Sequence, residues 1–319
     1  MRDRALVVLG PTATGKTSLA LELAKVRRIE VISLDSALVY RGMDIGTAKP
    51  SAKERSICPH HLIDIRDPAQ SYSAADFRSD CLRLVPEICA RGALPVICGG
   101  TMMYYKALCE GLSPLPRTDP EVRARIAEEA LEKGWPAMHE KLRAADPKLY
   151  ERLAPNDRQR ISRALEVLEM TGKPLSSFYS MRGEGCPFLR AEIVLLPSED
   201  RAQLRIRIRE RFMRMLEDGL LSEVAALRGR GDLSPSMPSM RAVGYRQAWE
   251  HLDGRTTYGQ MVEQAVIATA RLAKHQMTWL RGGLSSDGCL ERVVTRPSDP
   301  MVVGQALELA QKLDEAAAS

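Results

Sequence analysis

The 319-residue chain contains no run of about eighteen apolar residues, the length a helix needs to cross a bilayer. Its first residues, Met1-Arg2-Asp3-Arg4, lead straight into a strand-like run and carry no secretory pattern. A soluble cytoplasmic protein with no membrane partner is therefore expected. None of its seven cysteines, at 58, 81, 89, 98, 109, 186 and 289, forms a C-x-x-C pair. Several sit in apolar segments, where a free thiol behaves as a small hydrophobe, and that usage suits a reducing cytosol. There is no Ser-His-Asp or reactive-cysteine arrangement, no internal repeat and no low-complexity tract. His60-His61, with Asp64 nearby, are adjacent at the start of a strand and point to opposite faces, which argues against joint metal ligation. Acidic residues are absent from Gln264 to Ser286, where Arg271, Lys274, His275 and Arg281 all occur. A net charge of +5 would not by itself mark a nucleic-acid binder, but this local imbalance points to a polyanionic partner.

What is present is Gly10-Pro11-Thr12-Ala13-Thr14-Gly15-Lys16-Thr17, set between Ala5-Leu6-Val7-Val8-Leu9 and the helix-forming run from Ser18 to Ala24. It fits G-x-x-x-x-G-K-[ST] with the strand before and the helix after that the motif requires. Its glycines let the backbone wrap an anion, and the N-H groups that open the helix point at that anion. Lys16 adds a full charge, and Thr17 offers a hydroxyl where Mg²⁺ bound to phosphate oxygens usually sits. A di- or triphosphate site follows, with the compound left open.

Strand-like runs recur at Leu6 to Leu9, Val31 to Leu34, Leu62 to Ile65, Pro95 to Cys98 and Ile193 to Leu196, with helical stretches at Ser18 to Lys25 and Ala74 to Arg91. This alternation predicts an α/β fold, a P-loop NTPase-like parallel sheet with flanking helices. Ligands of such sheets lie at the carboxyl ends of the strands, where Gly10, Asp35-Ser36 and Gly99-Gly100-Thr101 all fall. From about Pro116 to Pro187 charged helical sequence replaces the strands, so residues 117–187 read as a helical insertion carried by a core of 1–116 and 188–319. Asp119-Pro120 opens one of its helices; Asn156-Asp157 caps another that Gly172 and Pro174 end. The segment after Pro297 reads as a helical tail without chemistry.

Asp35 ends an apolar strand and faces the crevice, where it serves as a base, as a cap of the following turn through Ser36, or as an indirect magnesium contact. Arg211 lies about 55° from the centre of the stripe Leu204, Ile208, Phe212 and Met215, at the rim of a buried face. It can reach a phosphate from there, or it can form a salt bridge. On the helix from Val262 to Leu280, Val262, Val266, Thr269, Ala273, Gln276 and Leu280 share one face. Arg271, Lys274, His275, Thr278 and Arg281 fall on the other, a basic stripe suited to a sugar-phosphate backbone, and Trp279 reads as core more than as a stacking platform. In the insertion, Arg158, Arg160 and Arg163, with Arg123, are further candidate backbone contacts.

Several segments together resemble the tRNA dimethylallyltransferases, which prenylate N6 of adenosine 37 beside the anticodon. They are the residue 10–17 loop, Ser33-Leu34-Asp35-Ser36, Tyr40 through Pro50, Pro59 through Asp64, Gly99-Gly100-Thr101, Asn156-Asp157 with Arg160 and Arg163 through Glu166, Arg211-Phe212 with Met215-Leu216 and Gly219, Val243-Gly244-Tyr245, and Ala273-Lys274 with Gln276 and Thr278-Trp279. The resemblance spans about 10 to 281 in the family's order. It implies that Gly10, Thr12, Ala13, Thr14, Gly15, Lys16 and Thr17 hold the diphosphate of dimethylallyl diphosphate with Mg²⁺ at Thr17, that Asp35 is the general base on the adenine amine, and that Thr101 and Arg211 complete the catalytic set. It also implies that the tRNA anticodon stem-loop meets Asp35, Ser36, Ala37, Leu38 and Thr101, then Arg123, Gln159, Arg160, Ile161, Ser162 and Arg163. Further implied contacts are Arg241, Gly244, Tyr245, Arg246, Lys274, His275, Gln276, Thr278, Trp279 and Arg281. A monomer is expected. The chain departs from the family pattern at Met102-Met103-Tyr104, where Gly-Leu-Tyr is usual, and at His275, where a second basic residue is commoner.

Two other readings fit parts of this pattern. One is a P-loop kinase of a small molecule or nucleotide, with Asp35 as base for a phosphate acceptor, although no arginine-dense lid segment adjoins a late strand. The other is a nucleotide-gated RNA-binding protein, which would use the basic helices and need no Asp35.

Overall fold

The computed structural model describes residues 2–179, 183–197, 201–282 and 287–319, and the side chain of Arg201 lies outside the description. Ser286, the far end of the acid-free stretch, also lies outside the described residues. The strands are β1 (Arg4–Leu9), β2 (Ile29–Leu34), β3 (His60–His61), β4 (Leu94–Gly99), β5 (Leu189–Leu195) and β6 (Cys289–Thr295). Among the described residues the helices are α1 (Lys16–Val26), α2 (Ala52–Ile57), α3 (Ala74–Ala90), α4 (Met102–Glu110), α5 (Pro120–Lys133), α6 (Trp135–Ala145), α7 (Pro147–Tyr150), α8 (Arg158–Thr171), α9 (Leu175–Phe178), α10 (Arg201–Glu217), α11 (Leu220–Gly229), α12 (Tyr245–Leu252), α13 (Tyr258–Gly282) and α14 (Val302–Ala318).

The strands form one sheet in the order β3-β2-β4-β1-β5-β6, and every neighbouring pair is parallel. Side chains alternate across it, so Ala5, Val7 and Leu9 of β1 enter one hydrophobic layer while Leu6 and Val8 enter the other. Both faces are covered, which is why β1 reads as an unbroken apolar run. One layer takes Phe77 of α3, Ile208 and Phe212 of α10 and Val262 of α13. The other takes Leu19 and Leu23 of α1 with Leu309 and Leu313 of α14, so the helical tail is part of the core.

Two elements differ from the sequence reading. The expected strand Leu62 to Ile65 is instead the two-residue β3, because Leu62 and Asp64 have φ of 64° and 58°, left-handed values that end an extended run. The edge strand β6 was not anticipated: its Glu291 and Arg292 interrupt the apolar pattern, and Arg292 turns its charge onto Glu192 of β5 at 2.6 Å.

The chain divides into two compact units, Met1–Cys109 with Cys186–Ser319, and Glu110–Gly185. The second unit starts at Glu110, the last residue of α4, where the outgoing and returning segments of the chain pack together: a Cβ on Gly111 would lie 2.5 Å from the Glu184 carbonyl oxygen. Its core is built on Met138, Leu142, Ile161 and Val167. Asp119 caps α5 by accepting from the amides of Glu121 and Val122, and Asp157 caps α8 through the Arg160 amide.

Candidate active site

The loop between β1 and α1 is braced from within and left open at its amides. Thr14 Oγ1 and Lys16 Nζ both donate to the Pro11 carbonyl, at 2.8 and 2.7 Å. Ala13 and Gly15 take φ of 64° and 73°, which turns successive N-H groups toward one concavity. Gly15 caps α1 without a side-chain hydrogen bond and the first turn holds no acid, so the helix start is unneutralised. A cavity of about 760 Å³ opens over this loop.

Three strand ends meet there, as the parallel topology requires. Asp35, just past β2, accepts with Oδ1 from the amides of Ala37 and Leu38 at 2.8 and 3.2 Å. Its second oxygen has no hydrogen-bond partner among the described residues and faces the cavity with Lys16. Thus Asp35 does cap its turn, through the backbone of 37 and 38, and still keeps an oxygen for chemistry. Thr101, past β4, accepts from the Ser36 amide at 3.1 Å and ties the two strand ends together.

Arg211, half-buried on α10, lines the same cavity with no hydrogen-bond or ion-pair partner among the described residues. Burial pulls its pKa below the usual arginine value, and the Asp35 charge opposes that shift. Burial likewise lowers the Lys16 ammonium pKa, with the Asp35 charge opposing and Arg211 reinforcing. Lys16, Arg211 and, at the exposed edge, Arg241 thus share one cavity with the carboxylates of Asp35 and Glu54, an excess of positive charge that favours an incoming anion. The Cys98 thiol, pushed up to about 11 by burial, stays neutral. Ile208, Phe212 and Met215 of α10, Leu272 and Trp279 of α13, and Met102 give the cavity an apolar wall. Met102 is buried, whereas Met103 is exposed at the rim.

On α13 the side chains of Arg271, Lys274, His275, Thr278 and Arg281 are exposed, and none of the four basic ones has an acidic partner among the described residues. Trp279 is half-buried, with the Lys106 ammonium 5.5 Å from its ring centroid. Gln276 turns inward: its Oε1 accepts from the Thr12 amide at 3.0 Å and its Nε2 donates to the Gly100 carbonyl at 2.9 Å.

Four of the expected RNA contacts have side chains directed into the protein. Tyr245 is fully buried and its hydroxyl donates to Glu223 at 2.5 Å, so its side chain anchors α12 in the core. Ile161 is fully buried in the core of the second unit, because it sits on the inner face of α8. Arg163 donates to the Pro116 carbonyl at 2.6 Å and pairs with Glu166 at 3.1 Å, and Gln276 is committed as described. Gln159 and Arg160 are exposed, Ser162 is half-buried, and Arg123 pairs with Glu166 at 3.4 Å while staying half-exposed. Arg241 is exposed and lines the cavity with Gly244, while Arg246 is exposed and pairs with Glu250 at 3.0 Å. The histidines serve structure: His61 Nε2 meets Glu30 at 2.7 Å and His60 Nδ1 meets the Cys58 carbonyl at 2.9 Å.

One contributor carried no local signal. Glu223 of α11 accepts from the amides of Asp44 and Ile45, each at 2.8 Å, and of Gly46 at 3.2 Å, and so holds the wall formed by residues 46–48.

The family model described as IPP transferase matches residues 38–283. The chain belongs to the IPP transferase family. The tRNA dimethylallyltransferase of Paraburkholderia xenovorans (strain LB400) is 53% identical over 309 residues, 96% of each chain. That of Burkholderia thailandensis is 53% identical over 300 residues, covering 92% of this chain and 93% of the relative. Among solved structures, the tRNA isopentenylpyrophosphate transferase of Bacillus halodurans superposes with a TM-score of 0.67 at 34% identity, covering 98% of both chains. A eukaryotic dimethylallyltransferase acting on tRNA shares the fold, with a TM-score of 0.75 at 23% identity over 97% of this chain and 77% of that one. The family's sequence pattern thus maps onto a P-loop NTPase-like sheet whose strand ends carry Lys16, Asp35 and Thr101.

Proposed function

We propose that this protein transfers a dimethylallyl group from dimethylallyl diphosphate to N6 of adenosine 37 in the tRNA anticodon loop. The observation that carries the reading is the pairing, in one apolar-walled cavity, of two cations without acidic ion-pair partners, Lys16 and Arg211, with the free oxygen of Asp35. In the transfer the allylic C-O bond breaks and its electron pair goes to the diphosphate. The open amides of residues 13–17, Lys16 and Arg211 stabilise the charge that develops there. A C-N bond forms to the adenine amine, and Asp35 takes the amine proton on the oxygen that caps nothing. The adenine must leave the anticodon stack to enter the cavity, as in other enzymes that extrude a base. Thr101 holds the Ser36 turn in place beside it.

Mg²⁺ fits these residues as an ion held chiefly by the donor's own phosphate oxygens and water. Thr17 is exposed with a hydroxyl that has no partner among the described residues, and no group of three or more His, Cys, Asp or Glu gathers into a metal cage there. When bound it would neutralise charge on the leaving diphosphate. The outer face of α13, with Arg271, Lys274 and Arg281, would take tRNA phosphates. All seven cysteines are free thiols and no described helix is long and apolar enough to cross a membrane, which supports a cytosolic setting.

Ligand-induced stabilisation tests the donor assignment: dimethylallyl diphosphate should raise the melting temperature more than ATP at equal concentration. The reverse ranking would mean a kinase site instead.

A further inference from the structure

Gln276 stands on the helix that carries the basic stripe, yet its carboxamide spans the Thr12 amide and the Gly100 carbonyl, at 3.0 and 2.9 Å. The partners fix its orientation. An N-H requires the oxygen and a C=O requires the NH₂, so the flipped amide would lose both bonds. The fit is close: a Cβ on residue 100 would lie 2.6 Å from Gln276 Nε2 and 2.8 Å from the Gly10 carbonyl oxygen. One side chain of α13 thereby joins the end of β4 to the anion loop, while Lys274 and Thr278 within the same two turns face solvent and His275 is exposed at the cavity edge.

We infer that Gln276 is a positioning residue that couples RNA engagement on the outer face of α13 to the shape of the diphosphate cradle. Phosphates gripping Lys274 and Arg281 hold α13 in place, and α13 can shift only by giving up both carboxamide bonds. A cradle held this way binds diphosphate more tightly when RNA is present, and by linkage diphosphate tightens RNA by the same factor. The inference rests on the proposed assignment of α13 to tRNA and of the 10–17 loop to diphosphate.

Inorganic pyrophosphate and an unmodified anticodon stem-loop test it on the full chain, since the two together undergo no transfer. The stem-loop should tighten pyrophosphate binding by about five-fold or more, and pyrophosphate should tighten stem-loop binding equally. Gln276→Met, close in size and without either bond, should weaken pyrophosphate binding roughly three- to ten-fold and abolish the linkage. Its stem-loop affinity in the absence of pyrophosphate should match that of the unchanged protein. Lys274→Ala should lose stem-loop affinity and part of the linkage, while its pyrophosphate affinity in the absence of stem-loop matches that of the unchanged protein. Absence of linkage in the unchanged protein overturns the inference whatever the variant does. A Gln276→Met protein that loses only stem-loop affinity makes this residue a plain RNA contact and also overturns it. Pyrophosphate failing to bind the unchanged protein at all would remove the cradle assignment as well, which separates the two failures.

Discussion

Replacing Asp35 by Asn and by Ala separates two jobs that one carboxylate performs. Oδ1 accepts from the amides of Ala37 and Leu38, whereas the other oxygen has no partner among the described residues and lies in the cavity with Lys16. Asn keeps an acceptor for the turn and removes the base. Asp35→Asn should therefore melt within about 1 °C of the unchanged protein, because the turn's hydrogen bonds survive. Asp35→Ala strands two amides of a half-buried turn, a cost of about 1 kcal/mol and, in a chain this long, a shift of about 2 °C. Both variants should lose turnover by the 10²- to 10⁴-fold that a positioned general base contributes, as an order of magnitude. Donor affinity should hold or improve in both, since the cavity loses its carboxylate and keeps Lys16 and Arg211. Single-turnover transfer to tRNA, thermal melting and donor binding measured on the same preparations decide the matter. Asp35→Asn retaining more than about a tenth of the single-turnover rate would refute the base assignment, and leave Asp35 a turn cap.

Arg211→Gln should reduce turnover about 10²- to 10³-fold without destabilising the fold, because the guanidinium has no partner among the described residues to orphan; a destabilised variant with full turnover, by urea denaturation and single-turnover assay, would contradict this. Arg271→Ala and Lys274→Ala should each weaken tRNA binding and reduce the slope of log K against log salt by somewhat under one, and unchanged slopes would mean a merely solvated face. Glu30 accepts from Arg91 at 2.9 and 2.7 Å and from His61, and the Arg91 hydrogen bonds in particular hold its carboxyl below 4.5. A depressed carboxyl stabilises the fold fully above its unfolded value and loses that contribution as pH falls through the folded value. The urea midpoint gap between the unchanged protein and Glu30→Gln should accordingly narrow only below about pH 4.5, and a gap flat down to pH 3 would contradict it.

What the sequence made legible was the part governed by local pattern. The anion loop, the strand ends and the two faces of α13 each follow from glycine placement, apolar runs and helical period. The wheel that put Gln276 opposite the basic stripe agrees with its inward direction, whereas the family pattern alone had grouped it with the exposed RNA contacts. Tyr245 shows the same contrast, since a motif marks the segment but cannot say which side chains in it face inward. β6 escaped because its polar residues answer to a distant carboxylate, Glu192, which is fully buried and satisfied by Tyr105, Arg190 and Arg292. Glu223 escaped for a similar reason: its backbone partners lie about 180 positions away, and no spacing rule spans that distance.

The central claim is that the cradle at the end of β1 holds a five-carbon allylic diphosphate while Asp35 readies an adenine amine. Its most direct test is mass analysis of nucleosides from unmodified tRNA incubated with the protein, Mg²⁺ and dimethylallyl diphosphate. An adenosine heavier by one dimethylallyl group, formed by the unchanged protein and not by Asp35→Asn, is the predicted result. Unaltered nucleosides, or a phosphorylated product appearing only with ATP, would contradict it.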